Sequence, residues 1–262
     1  MSADLSNKMS TGHKRAGATL CTVGLTAGYG GRPVVHGVSI NVEPGRVVSI
    51  VGPNGSGKST MLKSIVGVVK VLSGSVILDD VDITNQAPED TARVGVGYVP
   101  QVDDVFGPLS VKENLEMGGY LLPSGEVPGR IDKVLTYFPR LATMLTRRAA
   151  QLSGGERKML AMGRVLMLEP RAFILDEPTA NLAPALAQSL LDDHIRQLSA
   201  TGASVLVVEQ RARAVLAISD RTYVLTGGRC QMEGKPADLI ASPDFVDTFL
   251  GGKRRTGPAE EE

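Results

Sequence analysis

The sequence predicts an α/β fold around a mainly parallel sheet, and three observations carry that expectation. Short apolar, β-branched runs alternate with stretches of helical period from about residue 18 onward, and such alternation places helices on the faces of a parallel sheet. One run leads through a glycine-rich loop straight into a helical stretch, within residues 46–69. Two others, "RAFILDEP" and "SVLVVEQ", have the length and apolar content of strands buried on both faces.

Taken in order, "RVVSIVG" is the first of these strands, and residues 58–69 have helix spacing. "SGSVILDDVDIT" reads as a strand and a turn. Between Gln101 and Gln151 the strand signal fades. There "LSVKENLEMGGYLL" opens with Ser110 and Glu113 at capping-box spacing, and "RIDKVLTYFPRLATML" has helical apolar spacing. A mainly helical insertion is therefore expected at about 101–165. A helical stretch at 183–199 separates the two buried strands, and "RTYVLTGGRCQMEG" reads as a hairpin about Gly227 and Gly228. One domain is expected at 18–252, between polar tails at 1–17 and 253–262.

Composition narrows the function. Lys+Arg and Asp+Glu both total 28, so no global basic field favours nucleic acid or anionic lipid as a partner. No apolar run approaches the roughly 18 residues that span a bilayer, and the polar start "MSADLSNKMSTGHKRAG" does not read as a secretory signal. The two cysteines, Cys21 and Cys230, suggest neither a disulfide framework nor a zinc site, and suit a reducing cytosol. Any work at a membrane is expected to pass through partners.

"GPNGSGKST" carries the first chemistry. Gly52 to Ser59 fit G-x-x-x-x-G-K-S between a strand and a helix, the context in which that pattern cradles phosphate. Gly55 and Gly57 allow successive N–H groups to turn inward, and the helix N-terminus adds positive potential. Lys58 can reach the outer phosphates, and the Ser59 hydroxyl is a hard oxygen donor suited to Mg²⁺. The whole loop, Gly52, Pro53, Asn54, Gly55, Ser56, Gly57, Lys58, Ser59 and Thr60, is the expected nucleotide contact.

"AFILDEP" supplies carboxylates where a strand emerges. Neighbouring side chains diverge along a strand, so Asp176 can serve the metal while Glu177 faces an attacking water as base or orienting group. A third motif, "QLSGGERK", sets Ser153, Gly154 and Gly155 before another helix, a second anion-binding helix start. One triphosphate has little use for two such termini in one chain. Two chains packed head to tail could use both.

With these motifs in this order the chain resembles the ATP-binding cassette (ABC) ATPases, whose signature peptide Leu152 to Glu156 matches; the likeness runs roughly over residues 20–252. It implies a P-loop ATPase with an antiparallel β subdomain and a helical subdomain, binding ATP and Mg²⁺. It further implies that Tyr29 stacks on adenine and that Gln101 senses the metal. Ser153 and Gly155 would contact a γ-phosphate held by the opposite subunit. A second ATPase subunit and two integral-membrane permease subunits are implied partners, with an extracytoplasmic solute-binding protein acting indirectly, on the cytoplasmic face of the cell membrane.

Finer stretches, "VFGPLSVKENLEMGGY", "FPRL", "DEPTANLAP", "VVEQ" and "DFVDTFLGG", are similar to the shorter ATPase subunit of branched-chain amino-acid importers. Urea and short-amide importers are the nearest alternative, and a soluble ABC protein acting on DNA or ribosomes is a more distant one. Two positions depart from the general pattern. Ala183 stands where many relatives have Asp, and Gln210 where a histidine is usual. Glutamine donates a neutral hydrogen bond but cannot become a cation. Gln210 is nonetheless grouped with Glu177 and Lys58 as a catalytic candidate, and pairing with an unlike ATPase subunit is the expected context.

Overall fold

The structure, a computed structural model, describes residues 17–245. It begins with two long strands, β1 (Leu20–Tyr29) and β2 (Arg32–Val42), then β3 (Val47–Val51), α1 (Lys58–Ile65), β4 (Val71–Leu78) and a short β5 (Val81–Asp82). Helix α2 (Pro88–Val94) leads to β6 (Val96–Val99). Helices then dominate: α3 (Val111–Gly118), α4 (Val127–Tyr137), α5 (Pro139–Ala142) and α6 (Gly154–Leu166). The chain continues through β7 (Ala172–Asp176), α7 (Pro184–Ser189), a π-helical turn (Leu190–Ile195), α8 (Arg196–Ala200), β8 (Ser204–Glu209) and α9 (Ala212–Leu216). It closes with β9 (Arg221–Thr226), β10 (Arg229–Gly234) and α10 (Pro236–Ala241).

Two sheets form. One is antiparallel, ordered β2-β1-β4-β5; the other is ordered β10-β9-β3-β8-β7-β6 and is parallel except for the β9–β10 hairpin. Strands β3, β7 and β8 are buried at every position because both of their faces are covered. Val48, Ile50, Ile174, Leu206 and Val208 pack toward α1 and the antiparallel sheet. Val47, Val51, Phe173, Leu175, Val205 and Val207 pack on the opposite side with α3, α4 and α6. This is the period-2 alternation of a strand sandwiched between two apolar layers. Each fully buried Val, Leu or Ile contributes about 1.5–3 kcal/mol; truncating Ile174 to alanine would cost about 2–5 kcal/mol.

The register aligns the strand ends that carry chemistry. Val51 pairs with Glu209 and Asp176 with Val208. Gly52, Glu177 and Gln210 therefore leave the same edge of the sheet, the carboxyl edge where parallel α/β sheets bind ligands.

Local rules explain several boundaries. Ser110 and Ser153 each cap a helix through a complete capping box. Helix α1 stops at Ile65, short of the expected 69, because Gly67 turns the chain at φ +78°. The helix expected at 183–199 is present but is not uniform, since a π-helical turn interrupts it. The expected hairpin spans β9 and β10. Among the described residues, 101–151 contains no strand beyond an isolated bridge between Ser110 and Arg148. The expected tails, and most of "DFVDTFLGG", lie outside the described residues.

Candidate active site

The loop after β3 is shaped by close approach. A Cβ at Gly52 would lie 2.1 Å from the Leu225 carbonyl oxygen, so a side chain there would displace β9. Gly57, at φ +95°, is the residue from which α1 starts, leaving the unpaired N–H groups of a first helical turn at the loop. Lys58 is 5% exposed, and its Nζ donates back to the carbonyl oxygens of Gly52 at 2.8 Å and Pro53 at 3.0 Å. Burial lowers its pKa, against the opposing charges of Glu177, Asp176 and Glu209. The Ser56 hydroxyl oxygen is buried without a hydrogen-bond partner.

Asp176 ends β7 beside that loop. Its Oδ1 accepts from Ser59 Oγ at 3.1 Å and its Oδ2 from the Tyr98 hydroxyl at 3.3 Å. Burial raises its pKa and the two hydroxyl donors oppose the rise. The Tyr98 phenol is itself pushed up, first by burial and then by the Asp176 charge.

Glu177 adopts a left-handed backbone, φ +46°, at a cost on the order of 1 kcal/mol for a residue with a side chain. Its N–H donates to Val208 O at 2.9 Å, and its carbonyl accepts from Ala180 N at 3.0 Å, closing the turn. Its Oε2 accepts two amide donors, Gln101 Nε2 at 2.7 Å and Gln210 Nε2 at 2.6 Å. One step before Gln210, the buried Glu209 accepts from Thr179 N at 2.8 Å, and burial raises its pKa.

A cleft of about 310 Å³ joins these parts, lined by Asn54, Gly55, Gly57, Lys58, Ser59 and Thr60 together with Gln101, Glu177 and Gln210. Gly52, Pro53, Ser56 and Asp176 are not in the lining; Gly52 and Pro53 accept from Lys58, and Asp176 accepts from Ser59. Tyr29 stands at the end of β1, half exposed, and is not part of the lining. Ser153, Gly154 and Gly155 begin α6 and are not in the lining either. There Ser153 N donates to Glu156 Oε2 at 2.9 Å, and that bond holds the Glu156 carboxyl below its ordinary pKa.

Three further groups matter that the sequence reading did not single out. Tyr98 pairs in register with Ile174 on the neighbouring strand, and a tyrosine in the otherwise apolar "VGYVP" was its signal. Thr179 and Glu209 meet across two strand ends, a tertiary pairing with no local signature.

The fold and the cleft define a P-loop nucleoside triphosphatase: a glycine cradle and buried lysine for phosphate, with a carboxylate set beside them. The chain belongs to the ABC transporter family, whose description matches residues 35–180, and it is an ATP-binding, ATP-hydrolysing member. It is 40% identical over 232 residues to a probable branched-chain amino acid transport ATP-binding protein LivF of Archaeoglobus fulgidus, covering 88% of this chain and 98% of the relative. It is 39% identical to the high-affinity branched-chain amino acid transport ATP-binding protein BraG of Pseudomonas aeruginosa, covering 86% and 96%. The crystal structure of the ADP conformation of MJ1267, an ATP-binding cassette of an ABC transporter, superposes with a TM-score of 0.80 at 31% identity, covering 90% of this chain and 99% of that one.

Proposed function

We propose that this chain powers an importer for branched-chain or other hydrophobic amino acids, as one of two unlike ATPase subunits on the cytoplasmic face of a membrane. The observation that carries the catalytic part is Glu177, held by Gln101 and Gln210 at the mouth of the phosphate loop. Glu177 orients the attacking water or takes its proton, while Lys58 neutralises charge on the outer phosphates. Ser59 and Asp176 offer two adjoining hard oxygens, donors of the kind that would hold Mg²⁺. Gln101, donating through Nε2, still has its amide oxygen for the metal. Bound Mg²⁺ would supply charge neutralisation between the phosphates.

The dimeric part rests on Ser153 and Gly155, which start a capped helix outside the chain's own cleft; they serve the nucleotide of a second ATPase subunit. Tyr29, exposed at the end of β1, serves adenine. Among the described residues no helix is long and apolar enough to cross a membrane. Membership of the ABC transporter family supports two permease subunits as the spanning part. A groove of about 330 Å³ between the sheet and α6, with Val102 and Phe106 exposed nearby, suits their docking. A solute-binding protein completes the importer outside the membrane.

The cargo reading is supported by the names of the relatives above, together with Gln210 and Ala183. Uptake of labelled leucine and isoleucine in a strain lacking this chain tests it. Uptake is expected to fall and to return with the wild-type chain but not with Glu177→Gln. Unchanged leucine uptake with loss of urea or short-amide uptake would favour the alternative cargo.

A further inference from the structure

Helix α6 does more than present Ser153. One turn into it Lys158 points inward, with 8% of its side chain exposed. Its Nζ donates to the backbone carbonyl of Gln101 at 2.9 Å and lies 2.8 Å from Asp104 Oδ2, on a side chain only 6% exposed. Further along the helix, Arg164 donates through Nη1 to the Asp104 carbonyl at 2.5 Å and lays its guanidinium 4.3 Å from the centre of the Phe106 ring. The segment from Gln101 to Phe106 is thus fastened to α6 through Gln101, Asp104 and Phe106, by the two side chains Lys158 and Arg164. The same Gln101 uses its side chain to donate to Glu177.

A buried ammonium–carboxylate pair gains little net stability over apolar packing of the same volume, because both ions lose their water. What it supplies is geometric restriction. Lys158 spends one of its three donors on a neutral carbonyl, and that carbonyl belongs to the residue that touches the hydrolytic carboxylate.

We propose that Lys158 is a positioning residue for ATP hydrolysis: by fixing the Gln101 backbone it seats the Gln101 amide on Glu177, and it makes that seating depend on α6, whose first turn carries Ser153 and Gly155. The two half-sites of one chain, its own Glu177 and the helix start offered to a partner, are then joined through one lysine. The proposal rests on the reading of Glu177 as the hydrolytic carboxylate.

The test separates positioning from mere packing. In the assembled complex, Lys158→Met strands Asp104 and lowers both the melting temperature and kcat. Adding Asp104→Asn removes the stranded charge, so the melting temperature recovers, while kcat stays about tenfold low because the Gln101 carbonyl still lacks its donor. The KM for ATP changes less than about twofold, since the phosphate loop is untouched. Recovery of kcat together with stability, or a loss that falls on KM, overturns the proposal. Where the double variant does not fold, Lys158→Arg, which keeps the positive charge beside Asp104 and donors of at least the same reach, carries the test. It retains at least about half of kcat, and a tenfold loss there at unchanged melting temperature is the contrary result. Glu177→Gln run alongside separates the two readings. If it stays active, the assignment of Glu177 is wrong; if it is inactive while K158M/D104N turns over normally, only the role of Lys158 is wrong.

Discussion

Gln210 Nε2 donates to Glu177 Oε2 at 2.6 Å, on the same oxygen that Gln101 Nε2 reaches at 2.7 Å. The carboxylate next to the phosphate loop is therefore oriented by two neutral amides, arriving from the end of β8 and from the loop after β6. Neither amide titrates in the physiological range, so a departure from histidine becomes a statement about pH.

Replacing Gln210 with histidine puts a group of ordinary pKa about 6.5 beside Glu177. The ATPase rate of Gln210→His should acquire an added dependence on pH between about 5.5 and 7.5, beyond that of the wild type. Gln210→Ala should lower kcat about tenfold with little change in KM. Steady-state rates across that pH range check both; superimposable profiles for wild type and Gln210→His would contradict the contact's importance.

Two capping boxes offer an internal control. Ser110 and Ser153 each accept from the N–H of a glutamate three residues on. Alanine at either position should cost about 1 kcal/mol, a fall of about 2–4 °C in melting temperature for a domain of this size. Only Ser153→Ala should also slow ATP turnover in the assembled complex. Calorimetry and an ATPase assay on the pair of variants decide it, and equal kinetic effects would remove the special role of Ser153.

Glu209 is buried at the end of β8, and burial raises its pKa. The folded protein then holds its proton more tightly than the unfolded chain does, so ionised Glu209 weighs against folding at neutral pH. That penalty fades as pH falls toward the unfolded value of about 4.3. Glu209→Gln keeps an acceptor for Thr179 N. Its melting temperature should exceed wild type at pH 7, with the difference shrinking toward pH 4; a difference that grows on acidification would reverse the sign.

Ala183 occupies the N-cap of α7 with extended ψ and no side-chain cap, ahead of Pro184 at the first helical position. Ala183→Asp should stabilise the protein by about 0.5–1 kcal/mol through a new cap and the helix dipole. Denaturant unfolding measures this directly, and a loss of stability would show that the turn before α7 cannot accept the side chain.

The parts written as local chemistry were legible. Gly52 to Ser59, the apolar run into Asp176 and Glu177, and the Ser–x–x–Glu spacings at 110 and 153 are each specified within a few residues, because loop geometry and capping are short-range. Individual strands β1 and β2 were not, since their pairing with each other and with β4 runs through bulges and shifts of register. The end of α1 was overrun because Gly67 and the residues that follow carry a helix-compatible apolar pattern past the true stop. Lys158 and Asp104 carry no local signature; only the packing of α6 against the loop buries them together. Tyr98 and Thr179 likewise acquire their partners from neighbouring strand ends, which no single window of sequence contains.

Glu177 as the hydrolytic group is the claim on which the rest depends, and Glu177→Gln tests it most directly. Gln has nearly the same volume and can keep hydrogen bonds to Gln101 or Gln210, but it cannot take a proton. In the assembled complex, ATP affinity should stay within about twofold of wild type while kcat falls by about 10²–10⁴. Turnover near the wild-type rate, or loss of ATP binding in place of hydrolysis, would contradict the account.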